Sequence, residues 1–189
     1  GHSAAMADLG YCYEKGHGTE QSWKDAAMWY ERAAKCGNTM GMTNFGWCCE
    51  NGAGVEQDWD AAARWYRKGA EAGDSHAMGN YAWCLDSGRG VEKNAAQAAQ
   101  WYQKGAEAGD GRCMFCTAWN YENGDGVAVD YARAAYWYEQ AAQTGNARAM
   151  CNLGWMYTCG RGVEKNMEKA FAWYRRGAEA GDAQSMNHL

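Results

Sequence analysis

Residues 145–180 read GNARAMCNLGWMYTCGRGVEKNMEKAFAWYRRGAEA, and the pattern of this stretch recurs through the chain at a step of 36 residues. Its Trp-Tyr pair, Trp173–Tyr174, has four equivalents at that step: Trp29–Tyr30, Trp65–Tyr66, Trp101–Tyr102 and Trp137–Tyr138. A register that is kept through 189 residues is typical of a repeat protein, in which each unit contacts mainly its neighbours.

Each unit is predicted to form two helices. If Gly145 is counted as position 1, glycine at this position ends one helix, and the Asn or Asp that mostly stands at position 2 caps the next. We place helix A at about positions 3–15, a Gly-x-Gly turn at positions 16–18, and helix B from a capping residue at position 22 to about position 35. Two such helices cannot bury their apolar faces alone, so the units must stack.

The predicted fold is therefore all-α. We expect a right-handed α-solenoid superhelix of five helix-turn-helix repeats in a single domain over residues 1–189. The predicted repeats are 1–36, 37–72, 73–108, 109–144 and 145–180, followed by a partial sixth at 181–189.

The unit resembles the Sel1-like repeat, a relative of the tetratricopeptide repeat. The resemblance rests on Met150–Gly154, Gly160–Val163, Ala170 and Trp173–Tyr174, and through the repeats it covers the whole chain. It implies an adaptor or scaffold that holds partner proteins or peptides in a concave groove. Because a fold does not determine a function, the individual side chains of the groove carry the functional question.

An aromatic residue recurs at position 11 of helix A, away from the predicted core. The helical period places positions 6, 9, 10 and 13 on the core seam, positions 5 and 12 beside it, and positions 4, 7, 8, 11, 14 and 15 on the opposite side. The resemblance implies that this opposite side lines the groove, where asparagines at position 8 would hydrogen-bond an extended peptide. The predicted ligand-binding residues are Tyr11, Asn44, Trp47, Glu50, His76, Asn80, Trp83, Asp86, Arg112, Trp119, Glu122, Arg148, Asn152 and Trp155.

Two interpretations of the position-11 aromatics remain open. They could form a ladder that binds an extended ligand, because Trp and Tyr are frequent binding hot spots. Carboxylates at position 14 would then favour a cationic ligand in the N-terminal units, and Arg112 and Arg148 a carboxylate further along. Alternatively, each aromatic ring packs over the adjacent helix A and only stiffens the array.

The sequence predicts a protein- or peptide-binding adaptor that is not an enzyme, and the alternative is glycan or small-ligand binding on the same aromatics. Neither Ser-x-x-Lys nor Gly-x-Ser-x-Gly occurs. The Gly-x-Gly turns follow helices and lack the third glycine of a nucleotide-binding motif. No cofactor is expected. Exposed aromatics would form an apolar patch that monomers usually avoid, so self-association is also considered.

The nine cysteines do not predict a disulfide scaffold. Cys12, Cys48 and Cys84 share position 12, and stacked equivalents should lie about 8–10 Å apart, beyond disulfide reach. We expect them to be small buried hydrophobic residues. Cys113 and Cys116 have the C-x-x-C spacing, but they fall inside a helix, and further zinc ligands are lacking. No metal or redox site is predicted, and a reducing compartment, the cytoplasm, is favoured.

Charge and hydropathy exclude two classes of partner. The net charge is −5 and no Lys/Arg run occurs, so nucleic acid is not an expected ligand. No stretch approaches the roughly 18 apolar residues of a membrane helix, so membrane insertion is not expected. The N-terminal residues GHSAAMADLG lack the basic start and apolar run of a signal peptide.

Overall fold

The structure, a computed structural model, describes residues 2–181, and this part of the chain consists of ten α-helices without a strand. None of these helices has the length and apolar character that a membrane span needs. The predicted all-α repeat fold is confirmed, and the predicted partial helix at 181–189 lies outside the described residues except for its first. The helices are α1 His2–Lys15, α2 Trp23–Lys35, α3 Thr39–Asn51, α4 Trp59–Glu71, α5 Ser75–Ser87, α6 Ala95–Glu107, α7 Gly111–Asn123, α8 Tyr131–Gln143, α9 Ala147–Cys159 and α10 Met167–Glu179.

The ends of these helices follow the predicted capping residues. The Asn38 side chain accepts a hydrogen bond from the Gly41 N–H at 2.7 Å and starts α3. Asp58 accepts one from the Ala61 N–H at 2.8 Å and starts α4. Gly52 ends α3 with a φ of 68°, a left-handed conformation that glycine adopts without steric cost.

The helices form two compact units, Gly1–Asn94 and Ala95–Leu189. In the first unit, α1 packs against α2, α2 against α3, α3 against α4, and α4 against α5. In the second unit, α6 to α10 pack in the same consecutive manner. Within each unit, neighbouring helices thus bury their apolar faces against one another, as stacking of short helices requires.

The tyrosine of the Trp-Tyr pair forms the centre of the core in both units. Tyr66 and Tyr138 are completely buried. Tyr66 fits because the facing residue is Gly46, where a Cβ atom would lie 2.8 Å from the ring. Burial of a large side chain of this kind stabilises the fold by roughly 2–3 kcal/mol.

The predicted faces of helix A need correction. Position 7 was expected on the groove side, yet Ala7 and Cys151 are buried. Positions 5 and 12 were expected beside the core, yet Ala77 and Cys48 have no exposed surface at all. The reason is that an inner helix such as α3 packs against α2 and α4 and also touches α1 and α5. Its buried sector is therefore wider than one seam.

Thr117 on α7 provides a test of this core. Thr117 is 2% exposed, and its buried hydroxyl has no hydrogen-bond partner among the described residues. A buried hydroxyl without a partner costs about 1–3 kcal/mol, so we expect Thr117→Val to raise the free energy of unfolding by about 1 kcal/mol in urea titrations. Thr158→Val is the control, because the Thr158 hydroxyl donates to the Gly154 carbonyl oxygen at 3.0 Å. A loss of stability in Thr117→Val equal to that in Thr158→Val would contradict the prediction.

Candidate functional site

The position-11 aromatics lie at the surface, to different degrees. Tyr11, Trp47 and Trp119 are 46%, 41% and 47% exposed. Trp83 and Trp155 are half-buried. Position 11 therefore keeps large aromatic rings in contact with solvent in both units, whereas positions 5, 10 and 12 of the same helices are mostly buried.

The position-11 rings in the first unit contact a second aromatic residue at position 23, where helix B of the preceding repeat begins. The ring centroids of Trp23 and Trp47 are 5.3 Å apart, and those of Trp59 and Trp83 are 5.7 Å apart. Aromatic pairs at such separations stabilise one another modestly. The packing interpretation thus holds for part of each ring, and the exposed part of Trp47 remains available for a ligand.

Two arginines at position 17 contact the rings of this surface, and they are not among the residues predicted from the sequence. The Arg89 guanidinium lies 4.8 Å from the Trp59 ring and 5.1 Å from the Trp83 ring. In the second unit, Arg161 lies 5.3 Å from Tyr131 and 4.9 Å from Trp155. The sequence does contain a signal for this surface, because position 23 is aromatic in three of the five repeats. The other two repeats have Ala95 and Met167 there, so the position does not stand out as part of the repeat.

The carboxylates predicted at position 14 have an internal partner. Tyr66 donates its hydroxyl proton to Glu50 at 2.5 Å, and Tyr138 donates to Glu122 at 2.6 Å. Glu14, in the first repeat, accepts the same bond from Tyr30 at 2.6 Å. These carboxylates therefore fix the buried tyrosine, and a role in cation binding would be additional to that structural role.

Burial and these carboxylates raise the pKa of the tyrosines well above the ordinary value. For Tyr30 and Tyr138, burial is the larger cause and the hydrogen bond to the carboxylate is the next. The Asn44 amide hydrogen-bonds the Tyr30 hydroxyl, and Asn152 does the same at Tyr138, which lowers each pKa by a smaller amount. The position-8 asparagines thus have an internal partner as well.

One pocket joins three of these side chains in the first unit. Glu14, Asn44 and Trp47 line it, and its volume is about 220 Å³. The Glu14 carboxylate also pairs with the Lys15 ammonium at 2.7 Å. Of the predicted ligand-binding residues, this pocket brings together Asn44 and Trp47. Four others, at positions 4 and 14, are exposed on the surface: His76, Asp86, Arg112 and Arg148.

The nine cysteines are free thiols. Cys48 and Cys84 are fully buried, as predicted, whereas Cys12, in the first repeat, is half-buried. Burial raises the pKa of Cys48 and of Cys84 to about 12. Cys113 is also buried, burial raises its pKa, and it lies on α7 together with Cys116. Over residues 2–181, no group of three or more histidine, cysteine or acidic side chains is placed to hold a metal ion.

Comparison with known proteins places this architecture in a family. The Sel1 repeat matches five times, at residues 3–38, 39–74, 75–110, 113–146 and 147–182. Four of these matches begin two residues after the repeat boundaries that the sequence predicts, and the match at 113–146 begins four residues after. No curated protein sequence matches the chain.

Solved structures agree with this assignment. A Sel1 repeat protein from Oxalobacter formigenes is 36% identical, with a TM-score of 0.92 over 99% of this chain and 76% of that one. The protein c5321, a protective antigen of uropathogenic Escherichia coli with an SLR fold, is also 36% identical, with a TM-score of 0.94 over 99% of this chain and 40% of its own. Cysteine rich protein B of Helicobacter pylori, 23% identical with a TM-score of 0.57 over 70% of this chain and 96% of its own, is similar in fold alone. The chain belongs to the Sel1 repeat family.

Proposed function

We propose that this protein is a non-catalytic scaffold that binds segments of partner proteins on the position-11 face of its A helices. Sel1 repeat proteins are generally scaffolds for protein interactions. The observation that carries the proposal is the exposure of Trp47 and Trp119, at 41% and 47%. Stacking alone does not require large aromatic rings to face solvent, and such rings are frequent binding hot spots.

The size of the pocket beside Trp47 supports a protein ligand. Its volume of about 220 Å³ is below the roughly 300–1,000 Å³ of pockets that enclose small molecules. A pocket of this size suits one side chain of an extended segment, while the rest of the segment lies across the surface. The Glu14 and Asn44 side chains at its wall supply polar groups that orient a ligand.

The shifted pKa values support a role without catalysis. Burial raises the pKa of Cys48, Cys84 and Cys113, and it raises that of Tyr30 and Tyr138. These thiols and phenols therefore keep their protons at neutral pH. A nucleophile or a general base needs a pKa near the working pH, so these groups are unsuited to either task.

Single substitutions of the exposed tryptophans test the proposal. Peptides are selected from a random displayed library on the immobilised protein, and their affinities are measured by fluorescence polarisation. We expect Trp47→Ala to weaken the peptides that bind the first unit, and Trp119→Ala those that bind the second, at least tenfold, because truncation of a hot-spot residue costs about 2 kcal/mol or more. Helical circular dichroism should not change, since neither ring belongs to the buried core.

Phe171→Ala is the matched control, because Phe171 is 54% exposed on α10 and lies outside the position-11 face. Its affinity for the same peptides should equal that of the unchanged protein. Equal affinity in both tryptophan variants would refute the proposed face. Oligosaccharides that bind in a Trp47-dependent manner while no peptide is selected would favour glycan binding instead.

A further inference from the structure

The contacts of Arg89 show that a pair of rings at positions 11 and 23 can bind a guanidinium group. Three distances define this group: 4.8 Å from the Arg89 guanidinium to the Trp59 ring, 5.1 Å from it to the Trp83 ring, and 5.7 Å between the two ring centroids. They describe a nearly equilateral triangle, so the guanidinium lies beside both rings and not between them. A cation within about 6 Å of a ring centroid is attracted by the ring's electron-rich face.

The second unit contains the same arrangement. The Arg161 guanidinium contacts Tyr131 at position 23 and Trp155 at position 11, at 5.3 and 4.9 Å. Trp83 and Trp155, which have an arginine at position 17 of their own repeat, are half-buried. In both units, therefore, a guanidinium at position 17 contacts one ring at position 23 and one at position 11.

The Trp23–Trp47 pair has the rings of this site without the cation. Its centroids are 5.3 Å apart with an interplanar angle of 34°, close to the 5.7 Å and 42° of Trp59–Trp83. The residue at position 17 of its repeat is Ala53, which has no charge to place beside the rings. In agreement with this difference, Trp47 is exposed whereas Trp83 is half-buried.

The backbone at Ala53 follows the backbone at Arg89. The Ala53 N–H donates to the Cys48 carbonyl oxygen at 3.0 Å, and the Arg89 N–H donates to the Cys84 carbonyl oxygen at 3.1 Å. The glycines that flank each residue have positive φ values of 68° to 76°. The two turns therefore present position 17 to the ring pair in the same way, and the side chain is what differs.

We propose that the Trp23–Trp47 pair binds the guanidinium of an arginine side chain on a partner protein, in the place that Arg89 takes against Trp59 and Trp83. This inference rests on the proposed function, because it names the side chain that the partner segment inserts. The guanidinium is planar and weakly hydrated, so it stacks on aromatic rings at a lower desolvation cost than a lysine ammonium.

The charges near Trp47 are compatible with this ligand. The Glu14 carboxylate borders the pocket that Trp47 lines, and the chain carries a net charge of −5. Lys15 already pairs with Glu14 at 2.7 Å, so the preference for a cation must come mainly from the two ring faces. An isolated arginine should therefore bind weakly, in the millimolar range, and a longer partner segment should add the remaining affinity.

The first test measures binding of a single side chain. N-acetyl-arginine amide is titrated into ¹⁵N-labelled protein, and the indole N–H signals are followed by NMR, with Trp23 and Trp47 assigned from their Phe variants. We expect saturable shifts of these two signals, and at least tenfold weaker binding of N-acetyl-citrulline amide, which has the same shape without the charge. Equal binding of the citrulline compound would overturn the proposal, and stronger binding of N-acetyl-lysine amide would overturn the choice of arginine.

Reciprocal variants give the second test. Ala53→Arg should fill the site from within the chain and reduce the arginine-induced shifts of Trp23 and Trp47 at least tenfold, whereas Ala53→Gln should leave them. Arg89→Ala should open the second pair, so that the Trp59 and Trp83 signals now respond to N-acetyl-arginine amide. Unchanged titrations in Ala53→Arg, or no response in Arg89→Ala, would contradict the shared geometry.

The same variants separate this inference from the scaffold function. Peptides selected on the position-11 face should contain an arginine, and Ala53→Arg should weaken them at least tenfold. Peptides that depend on Trp47 but tolerate both Ala53→Arg and loss of their own arginines would leave the scaffold function intact and refute the guanidinium site. Selected peptides that depend on neither Trp47 nor Trp119 would refute the scaffold function itself.

Discussion

Replacement of Gly54 by alanine should lower the free energy of unfolding by about 3–4 kcal/mol, because it combines backbone strain with a steric overlap. Gly54 has a φ of 76°, which strains any residue with a side chain. A Cβ atom at this position would also overlap the carbonyl group of Trp23 and the backbone nitrogen of Lys24. These are backbone atoms, so they cannot turn aside as the end of a flexible side chain could.

Gly18→Ala is the matched control for this prediction. Gly18 is the equivalent residue of the first repeat, and its φ is 75°. Apart from its chain neighbours, no atom of the described residues lies within 4 Å of the place where its Cβ atom would be. We expect Gly18→Ala to cost about 1–2 kcal/mol, the strain of the left-handed conformation alone. Urea unfolding followed by circular dichroism measures both variants. Equal losses would mean that the approach of Gly54 to the Trp23 carbonyl does not contribute to stability.

The predictable part of this fold lies in the residues that every repeat keeps. Each of these residues has a structural role that can be recognised within a single unit. They are the glycines at positions 1, 16 and 18, the capping residues and the Trp-Tyr pair. Repetition then confirms each reason several times within one chain. For this cause the helix boundaries of α3 and α4 agree with the expected positions 3–15 and 23–35.

The unpredicted part lies in contacts between neighbouring repeats that vary along the chain. Arg89 and Arg161 stand at position 17, where other repeats have His17, Ala53 and Asp125. Periodicity reveals the positions at which every repeat has a similar residue. A position that varies as much as position 17 does has the pattern of an ordinary loop residue. The Tyr–carboxylate bonds were missed for another reason: positions 14 and 30 are 16 residues apart on different helices, and their meeting depends on how those helices pack.

Position 14 also shows that a predicted ligand-binding residue can have a structural partner that the sequence does not reveal. The sequence places carboxylates such as Glu50 on the side of helix A away from the predicted core seam, which favours an interpretation as ligands for a cation. The structure gives Glu50 a buried partner in Tyr66, which the helical period of one helix cannot reveal. The position-11 rings differ, because Trp47 and Trp119 have large exposed areas that their contacts leave uncovered.

Raising the pH above 9 should destabilise the protein progressively. Burial raises the pKa of Cys48 and Cys84 from the ordinary 9.0 to about 12, and it raises the pKa of Tyr30 and Tyr138 from 10.0. The unfolded chain therefore loses these protons at a lower pH than the folded chain does. Their contribution to stability is complete below about pH 9 and is lost as the pH rises. At pH 11, we expect each of the two thiols to have cost about 2 kcal/mol.

Cysteine variants show whether burial holds these protons. Cys48→Ala removes one buried thiol, so its loss of stability between pH 8 and pH 11 should be smaller than that of the unchanged protein by about 2 kcal/mol. Cys159 is exposed, and Cys159→Ala should follow the unchanged protein across the same range. Both are measured by urea unfolding in the presence of a reductant. The part of the pH dependence that remains in Cys48→Ala should come from other buried thiols, such as Cys84 and Cys113, and from tyrosines such as Tyr30, whose phenolate would form beside the Glu14 carboxylate. An identical pH dependence in all three proteins would show that the buried thiols do not govern alkaline stability.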